Sequence, residues 1–259
     1  MEDKLTEVKI TSTIDGSEEP SLLFRARGGQ APLIVSLHTW SAGRHNGIEA
    51  VMQLAEESGS NALFPEFRGP NLASNPRAAE ACASGSAMQD IVDAVEELIQ
   101  RGTADPSEIF LIGGSGGAHM SLMTAAHRPE LWKAVIASCP ITDLAAWHGQ
   151  NKSYAPHIEA CCGGPPDSPE RIAEYKKRSP ICHAGGIAGA RVYILHGKND
   201  PSVPFTHSLN LFSKICADHP GAEVYLEIFR GGHEQKQDRT AEIINTLSRP
   251  DSGLSKISG

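Results

Sequence analysis

Ile109-Phe110-Leu111-Ile112-Gly113-Gly114-Ser115-Gly116-Gly117 is the stretch that decides the fold. Four consecutive apolar residues read as a strand buried on both faces, and the run ends in G-x-S-x-G. Residues 119–127 behind it carry a helical pattern. A strand, a Gly-framed Ser and a helix in immediate succession form the context of a nucleophile elbow. The turn is so sharp that Ser115 is expected in strained backbone angles, with small neighbours to avoid clashes. It lifts the Ser115 hydroxyl out of the sheet at the positive end of a helix. A phosphate loop would want G-x-x-x-x-G-K-S/T, and no Lys follows here. A dinucleotide fingerprint fails too, because G-x-G-x-x-G is not matched and this is not the first strand.

Outward from this point, strands and helices alternate. Residues 32–38 (Leu33, Ile34, Val35, Leu37) form a second nearly continuous apolar run, and 61–67, 133–138, 191–196 and 224–229 read as further strands. Helices are expected at 47–59, 86–101, 205–217 and 234–248. In 86–101, Met88, Ile91, Val92, Val95, Leu98 and Ile99 recur at helical spacing, with Ser86 and Gln89 as a capping box. Residues 5–14 and 21–27, joined at Asp15-Gly16-Ser17, read as an edge hairpin. Residues 141–189 look irregular, with Gly163-Gly164-Pro165-Pro166 and Ser179-Pro180 as breakers. Within them, 141–185 is expected as an insertion forming a cap over the site, and 250–259 as a fraying tail. The expected fold is a single α/β domain over 1–259, with a mostly parallel sheet of about eight strands and helices on both faces. Ligands in such sheets bind beyond the carboxyl ends of the strands.

A Ser hydroxyl is a poor nucleophile until a base takes its proton. Two further strand ends offer the missing groups. Asp200 follows Val192-Tyr193-Ile194-Leu195-His196-Gly197, where a carboxylate can orient a His and stabilise its imidazolium. His233 follows Glu227-Ile228-Phe229-Arg230-Gly231-Gly232, and the two Gly let the loop bend back towards Ser115. Asp143 is the rival acid, with the N-cap of a short helix 144–148 as its preferred role. His38, His119 and His196 are the rival bases; His119 reads as packed and His196 as bonded within its own loop. An oxyanion needs two preorganised N–H donors. Gly116 N–H supplies one, and the loop His38-Thr39-Trp40-Ser41-Ala42-Gly43 the other, from Trp40 or alternatively Thr39. The side chains of Trp40, Arg68 and Trp147 are candidates for substrate contact, although Trp147 reads more readily as packing and Arg68 as an ion-pair anchor.

Composition narrows the partners. The 259 residues hold 23 Lys plus Arg against 31 Asp plus Glu, a net charge of −8 with no basic stripe. Nucleic acid and an anionic membrane surface therefore do not fit. No apolar run reaches the roughly 18 residues of a membrane span, and Met1-Glu2-Asp3-Lys4 lacks the apolar stretch of a signal peptide. The six Cys show no CxxC spacing, so reduced, mostly buried thiols in a cytoplasmic protein are expected. Cys161-Cys162, His157 and Cys182-His183 fit no zinc pattern, and neither metal nor cofactor is called for.

Taken together, Gly113–Gly117, His196-Gly197-x-x-Asp200-x-x-Val203-Pro204 and Gly231-Gly232-His233 resemble the α/β-hydrolase superfamily. More narrowly, they resemble the catalytic domain of the prolyl oligopeptidase (peptidase S9) family. Tyr175-x-x-x-Ser179-Pro180 and Pro65-Glu66-Phe67-Arg68-Gly69 add to the likeness, which covers roughly 30–248. The resemblance implies a Ser115–His233–Asp200 triad hydrolysing its substrate through an acyl-enzyme. Two features depart from the family. About 30 residues precede the third strand, leaving no room for an N-terminal propeller, and His-Thr-Trp stands where a His-Gly-Gly pattern is usual. Both point the expectation towards a carboxylesterase on small or acylated-sugar esters. The alternative is a peptidase acting on short peptides, and a remote third is a silent binding domain. The oligomeric state is left open.

Overall fold

Strands whose apolar residues run on without alternation need cover on both faces, and the chain supplies it. The computed structural model describes residues 5–26 and 28–248. In chain order its elements are β1 (Leu5–Thr11), β2 (Glu18–Phe24), β3 (Ala31–Leu37), α1 (Ile48–Ser58), β4 (Asn61–Pro65), α2 (Gly85–Gln100), β5 (Ala104–Gly114), α3 (Gly116–His127), β6 (Ala134–Ser138), α4 (Leu144–Gln150), α5 (Ala155–Cys162), α6 (Pro169–Lys177), α7 (Ala184–Ile187), β7 (Val192–Gly197), α8 (Thr206–Asp218), β8 (Val224–Phe229) and α9 (Gln237–Leu247). The eight strands form one sheet in the order β1-β2-β4-β3-β5-β6-β7-β8. β1–β2 and β2–β4 are antiparallel, and every pair from β4 to β8 is parallel.

The sheet's pleat divides each apolar run between two cores. Leu33, Val35, Leu37, Ile109, Leu111, Val135 and Ala137 enter one, against Ile91, Ala94, Val95 and Leu98 of α2. Ile34, Phe110, Ile112, Ala134 and Ile136 enter the other, against Val51, Met52, Leu54 and Ala55 of α1 and Ile243 and Ile244 of α9. Burying each large aliphatic side chain contributes about 1.5–3 kcal/mol. Any single-residue slip of a central strand would exchange its two sets of side chains.

β3 has β4 on one side and β5 on the other. The chain therefore reverses its winding at β3, and a crevice opens beyond the carboxyl ends of β3 and β5. Ser115 and the 38–47 loop stand there.

Three local expectations change. The N-cap of α2 is Ser84, whose side chain accepts from Ala87 N–H, so the Ser86–Gln89 box does not form. β1 ends three residues short of 14 and β2 lies three residues ahead of 21–27, with Leu5↔Phe24 and Thr11↔Glu18 in register; Arg27 lies outside the described residues. The 141–189 stretch is mostly helical, carrying α4 to α7. The 250–259 tail lies outside the described residues. Among the described residues no helix is long and apolar enough to cross a membrane.

Candidate active site

β5 ends at Gly114 and α3 begins at Gly116, so Ser115 alone turns the chain. It sits at φ 55° and ψ −117°, a conformation that costs about 1–3 kcal/mol for a residue with a side chain. Ser115 N–H donates to Ser138 O at 2.8 Å, and Ser115 O accepts from His119 N–H at 2.9 Å. The neighbouring glycines are needed for space. A Cβ on Gly117 would overlap Leu37 O, and one on Gly116 would overlap the Trp40 backbone.

The loop after β3 is pinned from below. His38 lies between Glu66 O, 2.9 Å from Nε2, and Thr39 O, 3.0 Å from Nδ1. Its ring stacks on Phe67 at 3.9 Å, and burial holds its pKa down. Asn46 Oδ1 accepts from Thr39 N–H at 3.1 Å. Among the described residues, no protein acceptor takes the Trp40 or Gly116 N–H. Two unspent donors thus lie together beside Ser115, while the Thr39 donor is already engaged.

Asp200 follows β7 with its side chain fully buried. Oδ1 accepts from Ser202 N–H at 2.8 Å and Val203 N–H at 2.9 Å. Oδ2 lies 2.6 Å from His233 Nδ1 and 3.3 Å from His196 Nε2. Burial pushes the Asp200 carboxyl up, but the bonds from His196, His233 and the two backbone N–H groups outweigh it and hold the pKa far below the usual range. His233 moves the other way. Its bond to Asp200, then its contact with the Cys139 thiol, raise it to about 9 against the opposing effect of burial. The loop carrying it is held by Asn199 N–H donating to Gly231 O at 2.9 Å.

Ser115 and His233 face one small pocket of about 150 Å³, with Thr39, Asn46, Cys139 and Gln235 among its walls. Among the described residues, no hydrogen bond links Ser115 Oγ to the His233 ring; the ring's polar neighbours are Asp200 and Cys139. Such bonds are commonly long in unliganded hydrolases and close in the substrate complex. Cys139, Asn46 and Gln235 are absent from the residues picked out by sequence. Cys139 could have been found, since it follows a strand at the same end of the sheet as Ser115.

The substrate-contact side chains need correction. Arg68 is 2 % exposed and turned away from the pocket. Its guanidinium is spent on Asp90 (2.5 and 2.9 Å), Asp15 (2.6 and 3.2 Å), Glu80 (3.0 Å) and Ser12 Oγ (2.9 Å). It ties the β1–β2 turn to α2. Arg68→Ala would leave the buried Asp90 carboxylate without its cation, and a loss of about 3–5 kcal/mol in urea unfolding is expected. Trp147 is likewise buried, donating from Nε1 to Ser202 O at 2.9 Å. It packs against the Trp40 ring at 4.9 Å and Tyr154 at 4.9 Å. The Trp40 side chain therefore belongs to the core it shares with α4–α6, and its backbone lies against the elbow at Gly116.

The rival residues have other work. Asp143 caps α4, accepting from Ala146 N–H at 3.0 Å. His119 is buried with Nε2 2.7 Å from Arg178 O, and burial lowers its pKa to about 4. His196 Nε2 lies 2.9 Å from Val203 O, and Nδ1 2.6 Å from Ser208 Oγ. All six Cys are free; Cys82, Cys139, Cys161 and Cys162 are buried, whereas Cys182 and Cys216 are exposed. His157 Nδ1 accepts from Ala73 N–H, and His183 Nε2 lies 2.8 Å from Lys177 O, so neither turns to the Cys161-Cys162 pair.

An eight-stranded sheet with a strained Ser at the end of β5, unspent N–H groups beside it and an Asp–His pair on the following loops defines an α/β-hydrolase catalytic domain. The prolyl oligopeptidase family of peptidases matches residues 49–246, and the chain belongs to that family. Among curated proteins it is similar to an acylamino-acid-releasing enzyme of Arabidopsis thaliana, 26 % identical over 219 residues, covering 76 % of this chain and 27 % of the relative. The chain thus spans about a quarter of that relative's length. Among solved structures, it superposes on a puromycin-hydrolyzing peptidase of Mycobacterium tuberculosis with a TM-score of 0.75 at 20 % identity, covering 93 % of this chain and 37 % of the other. An acylaminoacyl peptidase in complex with Z-Gly-Gly-Phe-chloromethyl ketone gives a TM-score of 0.74 at 22 % identity, covering 97 % and 43 %.

Proposed function

We propose that the chain is a serine peptidase catalytic domain that cleaves short peptides through an acyl-enzyme. The observation that carries this reading is the 2.6 Å Asp200–His233 pair facing the same pocket as Ser115. Ser115 Oγ attacks the scissile carbonyl while His233 takes its proton. The tetrahedral oxyanion is held by Gly116 and Trp40 N–H. His233 then passes the proton to the departing amine, and water repeats the sequence on the acyl-enzyme. Asp200 keeps the His233 ring oriented and stabilises its imidazolium.

The expectation of an esterase rested on the short stretch ahead of β3. The relatives named above are peptidases or acylamino-acid-releasing enzymes, and none of them supports ester specificity. Aminoacyl-anilides, N-acetyl-aminoacyl-anilides, short peptides and an acetylated sugar, assayed side by side, test the reading. A peptide or acylaminoacyl amide is expected to give the highest kcat/KM among unactivated substrates; an acetylated sugar outrunning all of them would overturn it. A fluorophosphonate probe should label Ser115, and failure to label folded protein would leave a silent binding domain. Because a Cβ at position 116 overlaps the Trp40 backbone, Gly116→Ala should disturb both N–H donors. A loss in kcat of about 10²–10³ is expected with little change in KM.

A further inference from the structure

Cys139 takes no part in the reaction just described, yet it stands inside the site. It follows β6 and is 2 % exposed, at φ 51°, a region L side chains rarely adopt. Its N–H donates to Leu195 O at 2.8 Å, which fixes its backbone to β7. Its thiol donates to the carbonyl of Glu234, the residue after His233, at 3.5 Å. The same sulfur lies within 4.8 Å of both the Asp200 carboxylate, which holds His233, and a His196 ring nitrogen. It also lines the pocket that Ser115 faces. A buried cysteine ordinarily packs as a small apolar residue. This one is fixed at its backbone and its sulfur is turned into the most polar part of the site.

We propose that Cys139 is a positioning residue for the acid–base chemistry, its thiol holding the His233 ring between Asp200 and Ser115 and setting how readily that ring yields its proton. The proposal rests on the reading of Ser115, His233 and Asp200 as a triad. Three groups face His233 from the elements around it: Asp200 from the loop after β7, Cys139 from the end of β6, and Ser115, which carries no charge, from the elbow. On its own loop, Glu234 is paired with Lys236 at 3.1 Å.

The consequence has a definite sign. His233 must be neutral to accept the Ser115 proton, so kcat/KM climbs as pH rises through its pKa. The Asp200 bond favours the imidazolium, and a sulfur whose S–H is spent on Glu234 O presents lone pairs, not a proton, to the rest of the pocket, which favours it too. Removing the thiol leaves Asp200 alone in that role, so the acid limb moves to lower pH. Below that limb the neutral fraction grows about 3-fold for each half unit of the move.

The experiment is the pH profile of kcat/KM for wild type and Cys139→Ala on one aminoacyl-anilide, with fluorophosphonate labelling of Ser115 and thermal unfolding of both. The expected result is an acid limb displaced to lower pH in Cys139→Ala, with higher kcat/KM at pH 7. Loss of packing alone would lower kcat or Tm and leave the limb in place. A limb superimposed on that of wild type overturns the proposal. Should Cys139→Ala not fold, Cys139→Ser carries the same test: a displaced limb supports the proposal and a superimposed one overturns it. Absence of label on folded wild-type protein sinks the hydrolase reading itself. Normal labelling with an unmoved limb sinks only the role of Cys139.

Discussion

Ser115→Ala is expected to lower kcat by about 10⁶. In a triad the three side chains act as one unit, so removing the nucleophile costs about as much as removing all of them. What survives is the contribution of the two N–H donors and of substrate binding, about 10³–10⁴ over the uncatalysed reaction. The fold should be spared. The Ser115 side chain makes no hydrogen bond among the described residues, and its backbone bonds to Ser138 and His119 do not involve Oγ. Alanine meets the same positive φ that serine already tolerates. Thermal unfolding should therefore stay within about 1 kcal/mol of wild type. Stopped assays on purified protein, with fluorophosphonate labelling lost in the same preparation, check both halves. A variant retaining turnover within about 100-fold of wild type would assign the chemistry to another nucleophile.

The elbow was legible because everything it needs is local. The apolar run 109–112 requires cover on both faces, and only small residues fit where the Trp40 backbone and Leu37 O press against positions 116 and 117. The Asp143 cap was legible for the same reason, since its acceptor meets an N–H three residues on. The α4–α7 region was not. Its helices are 7, 8, 9 and 4 residues long, too short for a periodic apolar stripe to stand out. Two of the residues read as breakers are helix boundaries: Gly163 closes α5 in the left-handed conformation, and Pro180 opens a single 3-10 turn at 180–183 behind Ser179. Arg68 is the ion-pair anchor that its sequence context allowed, but its partners were not legible, for a different reason. Its partners Asp15 and Asp90 lie 53 and 22 residues away, and no spacing rule connects a hairpin turn to a helix. Cys139 shows the remaining gap. Its place after a strand is visible in sequence, but its place in one pocket with His233 exists only once β6, β7 and β8 stand side by side in the sheet.

Asp200→Asn is expected to lower kcat by about 10⁴ while the fold survives. The carboxylate accepts from four donors, two on each oxygen. An Asn can keep its carbonyl oxygen towards Ser202 and Val203 N–H. Its amide NH₂ then faces the two histidines, where Oδ2 stood. Towards His233 the amide donates to Nδ1, which forces the ring proton onto Nε2, and a protonated Nε2 cannot accept from Ser115. Towards His196 the amide meets an N–H already shared with Val203 O, so two donors oppose each other and some stability is lost. The charge that stabilised the imidazolium is gone as well. His233 owes its raised pKa first to Asp200, so the acid limb of the residual activity should move to lower pH. Asp143→Asn is the control. Asn caps a helix about as well as Asp, and Asp143 touches neither Ser115 nor His233 in the described contacts, so its kcat should stay within about 2-fold of wild type. Side-by-side kcat and pH profiles of the two variants decide the assignment. Near-normal turnover in Asp200→Asn beside a dead Asp143→Asn would move the acid to Asp143, and with it the orientation of the His233 ring.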